Sequence, residues 1–132
     1  MELSKQVCSR QQADRLRELG VTAPSIFYYT IGDKIRVKTT DESPVNNNAV
    51  PILTEDYIEF TCCHAYTVAE LVAMFGRGTA ASERLYDAVL DRMNEGMSFT
   101  IAYSAEFLAT CLIGAIERNL ITPEQCNENL NH

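Results

Sequence analysis

Ser25-Ile26-Phe27-Tyr28-Tyr29-Thr30-Ile31-Gly32-Asp33-Lys34-Ile35-Arg36-Val37-Lys38-Thr39 is the stretch on which the reading of the fold turns. Its first half is rich in aromatic and β-branched residues, which suit a pleated, half-buried surface. Its second half alternates apolar and basic residues strictly, the period of a strand. Gly32-Asp33 between them fits a two-residue type II′ hairpin turn, with glycine first. That turn predicts Ile31 opposite Lys34, Tyr29 opposite Arg36 and Phe27 opposite Lys38. One face would then carry Phe27, Tyr29, Ile31, Lys34, Arg36 and Lys38, and the other Ile26, Tyr28, Thr30, Ile35 and Val37.

Outward from the hairpin, helix signals dominate. Ser9 and Gln12 form a capping box, Ala13, Leu16 and Leu19 follow helical spacing, and Gly20 ends the run. Residues 41–54 are rich in Asn, Pro and Ser and read as a long mobile loop. Tyr57 to Cys62 reads as a strand. Thr67-Val68-Ala69-Glu70 is a second capping box, opening a short helix that ends near Gly76. A further helix is expected from about Ala80 to Glu95, a strand from Met97 to Tyr103, and a strongly apolar helix from Ser104 through Asn119. Thr122-Pro123-Glu124-Gln125 can start a last short helix, with proline at its first position. The strand–helix alternation of a doubly wound parallel sheet is missing. The expected fold is therefore α+β: a small antiparallel sheet including the N-terminal hairpin, packed with about four helices.

Composition agrees with one globular domain spanning 1–132. The chain is 46% hydrophobic and 22% charged, too apolar for a disordered chain. No apolar run approaches the roughly 20 residues that span a bilayer. The five cysteines, Cys8, Cys62, Cys63, Cys111 and Cys126, are an odd number without a secretory signal. They read as free thiols in a cytoplasmic protein with no membrane association.

Several elements have a familiar pattern. Gln12-Ala13, Leu16, Glu18-Leu19-Gly20 and Ser25-Ile26-Phe27-Tyr28 resemble the opening of small prophage and mobile-element proteins of gut bacteria. Thr67 to Leu71 resembles their middle motif, and Ala109, Leu112-Ile113, Ile116-Glu117 and Leu120-Ile121 their C-terminal helix. Cys62-Cys63 and Asn46-Asn47-Asn48 stand outside that pattern. The resemblance implies a bacterial, phage-related accessory protein and carries no activity, cofactor or catalytic residue with it.

Charge is unevenly distributed. The net charge is -7, yet residues 1–40 hold seven Lys/Arg against four Asp/Glu, and the remainder is strongly acidic. The basic face of the hairpin, with Phe27 and Tyr29 among Lys34, Arg36 and Lys38, suits stacking of bases and tracking of a phosphate backbone. Glu83, Asp87, Asp91 and Glu95 recur every four residues and form one acidic row on a helix. Such a row runs against helix stability, which suggests a docking face for a basic partner protein or for a second copy of the chain.

Catalytic patterns are sparse. Cys62-Cys63-His64 lacks the paired short bites of a structural zinc site. As a Cys–His nucleophile it competes with the simpler reading of small thiols at a strand end. Gly76-Arg77-Gly78-Thr79 precedes a helix but is no P-loop, since no Gly-Lys-Ser/Thr follows. No catalytic, cofactor or metal residue is assigned. The expected function is a non-enzymatic interaction module that docks through charged surfaces. The alternatives are a single-stranded nucleic-acid binder using the hairpin and a small Cys–His enzyme.

Overall fold

The computed structural model describes residues 3–30, 32–37, 50–53 and 58–131. The α+β architecture is as expected. Four strands, β1 (Phe27–Thr30), β2 (Ile35–Val37), β3 (Val50–Leu53) and β4 (Ile58–His64), form one sheet in the order β2-β1-β4-β3. Every pairing is antiparallel. The strand β3 lies inside the stretch read as a mobile loop, so that reading is corrected for residues 50–53; residues 41–49 and 54 lie outside the described residues. Its Val-Pro-Ile-Leu sequence occupies a sheet edge, the position where a proline costs no ladder hydrogen bond.

The described residues contain five helices of eight or more residues: α2 (Arg10–Leu19), α3 (Val68–Phe75), α4 (Ala80–Asn94), α6 (Ala105–Glu117) and α7 (Pro123–Leu130). Two single turns, α1 (Leu3–Gln6) and α5 (Phe99–Ala102), add to them. The caps explain where the helices begin. Ser9, Thr67, Thr79 and Thr122 each accept from the backbone N–H three residues on. In α2, α3 and α7 the residue at that position, Gln12, Glu70 or Gln125, reaches back to the cap, so two orphan donors are satisfied at each start. Gly20 stops α2 at φ 105, in the left-handed region where a side chain is costly.

The segment Met97 to Tyr103, expected as a strand, is instead mostly the helical turn α5. Its amides bond locally, Ala102 N–H to Ser98 O at 2.9 Å and Tyr103 N–H to Phe99 O at 2.8 Å. A strand former needs a neighbouring strand to complete its hydrogen bonds. This linker joins two helices, so the local bonds satisfy the backbone instead.

The core centres on α6, whose Leu108, Ala109 and Leu112 are wholly buried. It packs on α2 and α3, while α7 packs on α3 and α2 rests on β4 of the sheet. The main contacts of α4 are with α5 and α6. It is thus an outer helix, covered by other elements along only part of its circumference.

Candidate functional site

The hairpin places its side chains differently from the sequence reading. Phe27 pairs with Val37, Tyr28 with Arg36 and Tyr29 with Ile35. The N–H of Thr30 donates to Lys34 O at 2.8 Å, and Asp33 N–H donates back to Thr30 O at 3.0 Å. Three residues, not two, stand between the hydrogen-bonded Thr30 and Lys34. Asp33 takes the positive φ of 64, which aspartate tolerates better than most residues.

A slip of one residue turns every side chain of a strand to the opposite face. Residues directly opposite in an antiparallel pair share a face, so Arg36 sits beside Tyr28, and Tyr29 beside Ile35. The expected grouping of Phe27 and Tyr29 with Lys34 and Arg36 is therefore corrected. Burial explains the outcome. Tyr29 is buried, and Phe27 and Ile35 pack against the core. The expected register would have driven Lys34 and Arg36 toward that same core, at the cost of desolvating two charges. The hydroxyl of Tyr29 donates to Cys8 O at 2.6 Å, which uses the aromatic for packing and leaves no open platform for a base. Lys38 lies outside the described residues.

The positive charge of α2 is largely spent within the chain. Arg10 bonds Asp33 at 2.7 Å and Asp14 at 3.2 Å, and also donates to Thr30 O at 2.7 Å. Arg15 reaches Glu117 on α6 at 3.0 Å and Glu18 at 3.4 Å. These contacts tie α2 to the hairpin and to α6.

The Cys-Cys-His segment closes β4. Cys63 and His64 are both buried, while the side chain of Cys62 is not among those described. The Nδ1 of His64 accepts the N–H of Ser25 at 3.3 Å, an arrangement that orients the ring as a structural acceptor. The hollow between Cys63 and His64 holds only about 10 Å³, too little for a substrate. Among the described residues no group of three His, Cys, Asp or Glu is placed to hold a metal. Burial pushes the thiols of Cys8 and Cys126 up to about 12 from an ordinary 9.0, and that of Cys111 up as well. A nucleophilic cysteine needs the opposite shift.

Gly76-Arg77-Gly78-Thr79 is the turn between α3 and α4. A Cβ on Gly76 would lie 2.9 Å from Nδ2 of Asn129, and that amide donates to Met74 O at 2.9 Å. The glycine thus leaves room for α7 to seal the end of α3.

The acidic row is as expected in position. Glu83, Asp87, Asp91 and Glu95 are all exposed along α4 and its C-terminal cap. Among the described residues none of the four forms an ion pair within the chain.

Beside this row lies a feature that the sequence reading missed. Tyr86, Leu90 and Met93 of α4 are 68%, 41% and 39% exposed, and Phe99 of α5 is 57% exposed. They border a cleft of about 430 Å³. The buried Phe75 of α3 and Leu85 and Val89 of α4 also line it. Phe99 stacks on Tyr103 at 5.1 Å between ring centroids with the planes 14° apart, and this pair forms the wall opposite α4. Glu83 and Asp87 share a shallow hollow with Tyr86, so the acidic row and the apolar cleft adjoin.

The signal was present in the sequence. Leu85, Tyr86, Val89, Leu90 and Met93 make an apolar arc wider than one core-facing stripe. At roughly 100° per residue, Tyr86 and Leu90 fall to one side of Leu85 and Val89. A helix needs only one such stripe to pack. The surplus stripe is the mark of a second contact surface.

Comparison with protein-family models, with curated proteins and with solved structures finds no match to the chain. No helix among the described residues is long and apolar enough to cross a membrane.

Proposed function

We propose that this chain is a non-enzymatic protein-docking module and that its binding face is the outer surface of α4 together with α5. The observation that carries this reading is the cluster of exposed Tyr86, Leu90, Met93 and Phe99 over an apolar cleft, with Glu83 and Asp87 beside Tyr86 at its edge. Isolated apolar residues on a surface are ordinary, but a contiguous group rimmed by polar residues marks an interaction site. The acidic row adds a long-range field that steers a basic partner and weakens as salt rises.

The burial of Cys63 and His64 and the small hollow beside them favour this reading over a Cys–His enzyme. Tyr28, beside Arg36, and Tyr29 are both buried, so neither offers a platform for a base, which disfavours an oligonucleotide face. Docking to a second copy through α2 is also disfavoured, because Arg10 and Arg15 are engaged within the chain. The four cysteines whose side chains are described form no disulfide, in keeping with a cytoplasmic setting. An accessory role in a prophage or mobile element rests on the resemblance of the capping boxes and apolar spacings.

Selection from a random peptide library tests the docking face. Peptides enriched on the native chain should be lost on Leu90→Ser and Tyr86→Ser variants that keep the native circular dichroism. Enriched peptides indifferent to both substitutions would refute the α4 face.

A further inference from the structure

We infer that the occupant of the α4–α5 cleft is an amphipathic helix with lysine or arginine along one flank only, contributed by a different protein. This rests on the docking reading above and specifies the chemistry of the partner.

The first step is the backbone of the occupant. The cleft is walled by α4, α5 and α3, whose backbone groups are used within their own helices. It offers no sheet edge. An extended segment laid there would bury N–H and C=O groups against Leu90, Met93 and Phe99 with nothing to pair them. A helix satisfies those groups internally and presents only side chains, the usual solution for an apolar groove.

The second step is the register. Tyr86, Leu90 and Met93 follow i, i+4, i+7 spacing along α4 and span about 10 Å at 1.5 Å per residue. Two turns of a packed helix present the same spacing, so the occupant needs apolar anchors at i, i+4 and i+7, with a further one near Phe99.

The third step is the charge. Glu83 and Asp87 lie beside Tyr86 on the α4 side of the cleft. The opposite wall, Ser98 to Tyr103, carries no charged residue. Cations on the occupant therefore gain only on the flank that faces α4, and they fit best at four-residue intervals matching the acids. Asp91 turns the other way, into a hollow on the far side of α4 that Arg84, Arg118 of the α6 end and Asp87 also line, so the acids next to the cleft are Glu83 and Asp87.

The fourth step excludes a second copy of this chain. The helix of this protein richest in arginine is α2, but its Ala13 and Leu16 are buried in the core. It cannot offer an apolar face without unfolding.

The test uses the full chain and fluorescence anisotropy with three synthetic peptides of about 16 residues, long enough for four helical turns. One carries leucines at i, i+4, i+7 and i+11 with lysines along one flank. The second has glutamates in place of the lysines. The third keeps the lysines but has two central prolines that forbid a helix. The lysine helix is expected to bind at least about tenfold more tightly than either comparator, and to weaken by a similar factor on Leu90→Ser. Changing Glu83→Lys and Asp87→Lys together should invert the preference between the lysine and glutamate peptides. Equal binding of the proline peptide or the glutamate peptide, lost on Leu90→Ser, would overturn the inference while the docking face stands. Absence of binding by the lysine helix, or binding untouched by Leu90→Ser, also overturns it. The docking face itself falls only if the library peptides ignore α4 as well.

Discussion

Tyr29 and Glu70 show how single side chains hold the sheet to the helices. The Tyr29 hydroxyl satisfies the carbonyl of the buried Cys8, so Tyr29→Phe should leave that acceptor unpaired and cost about 1–2 kcal/mol, read as a lower urea midpoint at unchanged slope. Glu70 does two jobs. Its Oε1 accepts from Thr67 N–H at 2.9 Å and from the Ser25 hydroxyl at 2.6 Å, and its Oε2 accepts from Ile26 N–H at 3.1 Å. One carboxylate thereby caps α3 and clamps the approach to β1. The buried thiols and phenols set the response to alkali. Cys8 and Cys126 rise from 9.0 to about 12, and Tyr29 from 10.0 to about 12, each first through desolvation by burial. Above pH 9 the unfolded chain releases protons that the folded chain keeps. Stability should therefore be at its plateau below about pH 9 and fall through the window up to about 12. Thermal melts across that range check the sign. At neutral pH, a thiol reagent should label Cys8 and Cys126 far more slowly in the folded chain than in urea.

At the scale of elements, most boundaries were legible because caps are local. Ser9 with Gln12, Thr67 with Glu70 and Thr122 with Gln125 announce the starts of three helices in three or four residues each, and the structure uses all of them. Substitution of Gly20 by alanine tests one of the stops. At φ 105 a side chain is strained, and its Cβ would lie 3.3 Å from Cβ of Pro123, so a loss of about 1–2 kcal/mol is expected. The misreadings have a common cause: they depend on partners distant in sequence. The register of the hairpin was read from the turn, but the packing of Phe27, Tyr29 and Ile35 on the core decided it. The β-forming composition of Met97–Tyr103 found no strand to pair with and became α5. The surplus apolar arc of α4 could be counted in the sequence, yet only the outer position of that helix shows that Tyr86 and Leu90 remain uncovered. The acidic row carries its own test. Removing one inner acid with Asp87→Asn relieves two like-charge contacts, so α4 should become more stable by about 0.4–1 kcal/mol at low salt. The same change should weaken peptide binding, which would separate the row's role in docking from its effect on folding.

Across the whole molecule, charge is sorted by function. The basic residues of α2 act inward and bind the chain to itself, with Arg10 on the hairpin and Arg15 on α6. The acids of α4 act outward, on a helix that other elements cover only in part. The apolar cleft lies beside those acids and away from the buried thiols, so the surface suited to contact is separate from the groups that could have suggested chemistry. The account depends on α4 and α5 being where a partner lands. Backbone amide chemical shifts of the isotope-labelled chain, followed during titration with the lysine-flanked helical peptide, test that most directly. The account predicts saturable shifts concentrated at Tyr86, Leu90, Met93 and Phe99, fading as salt is raised. Shifts centred on the hairpin from Phe27 to Val37, with α4 and α5 unmoved, would contradict it.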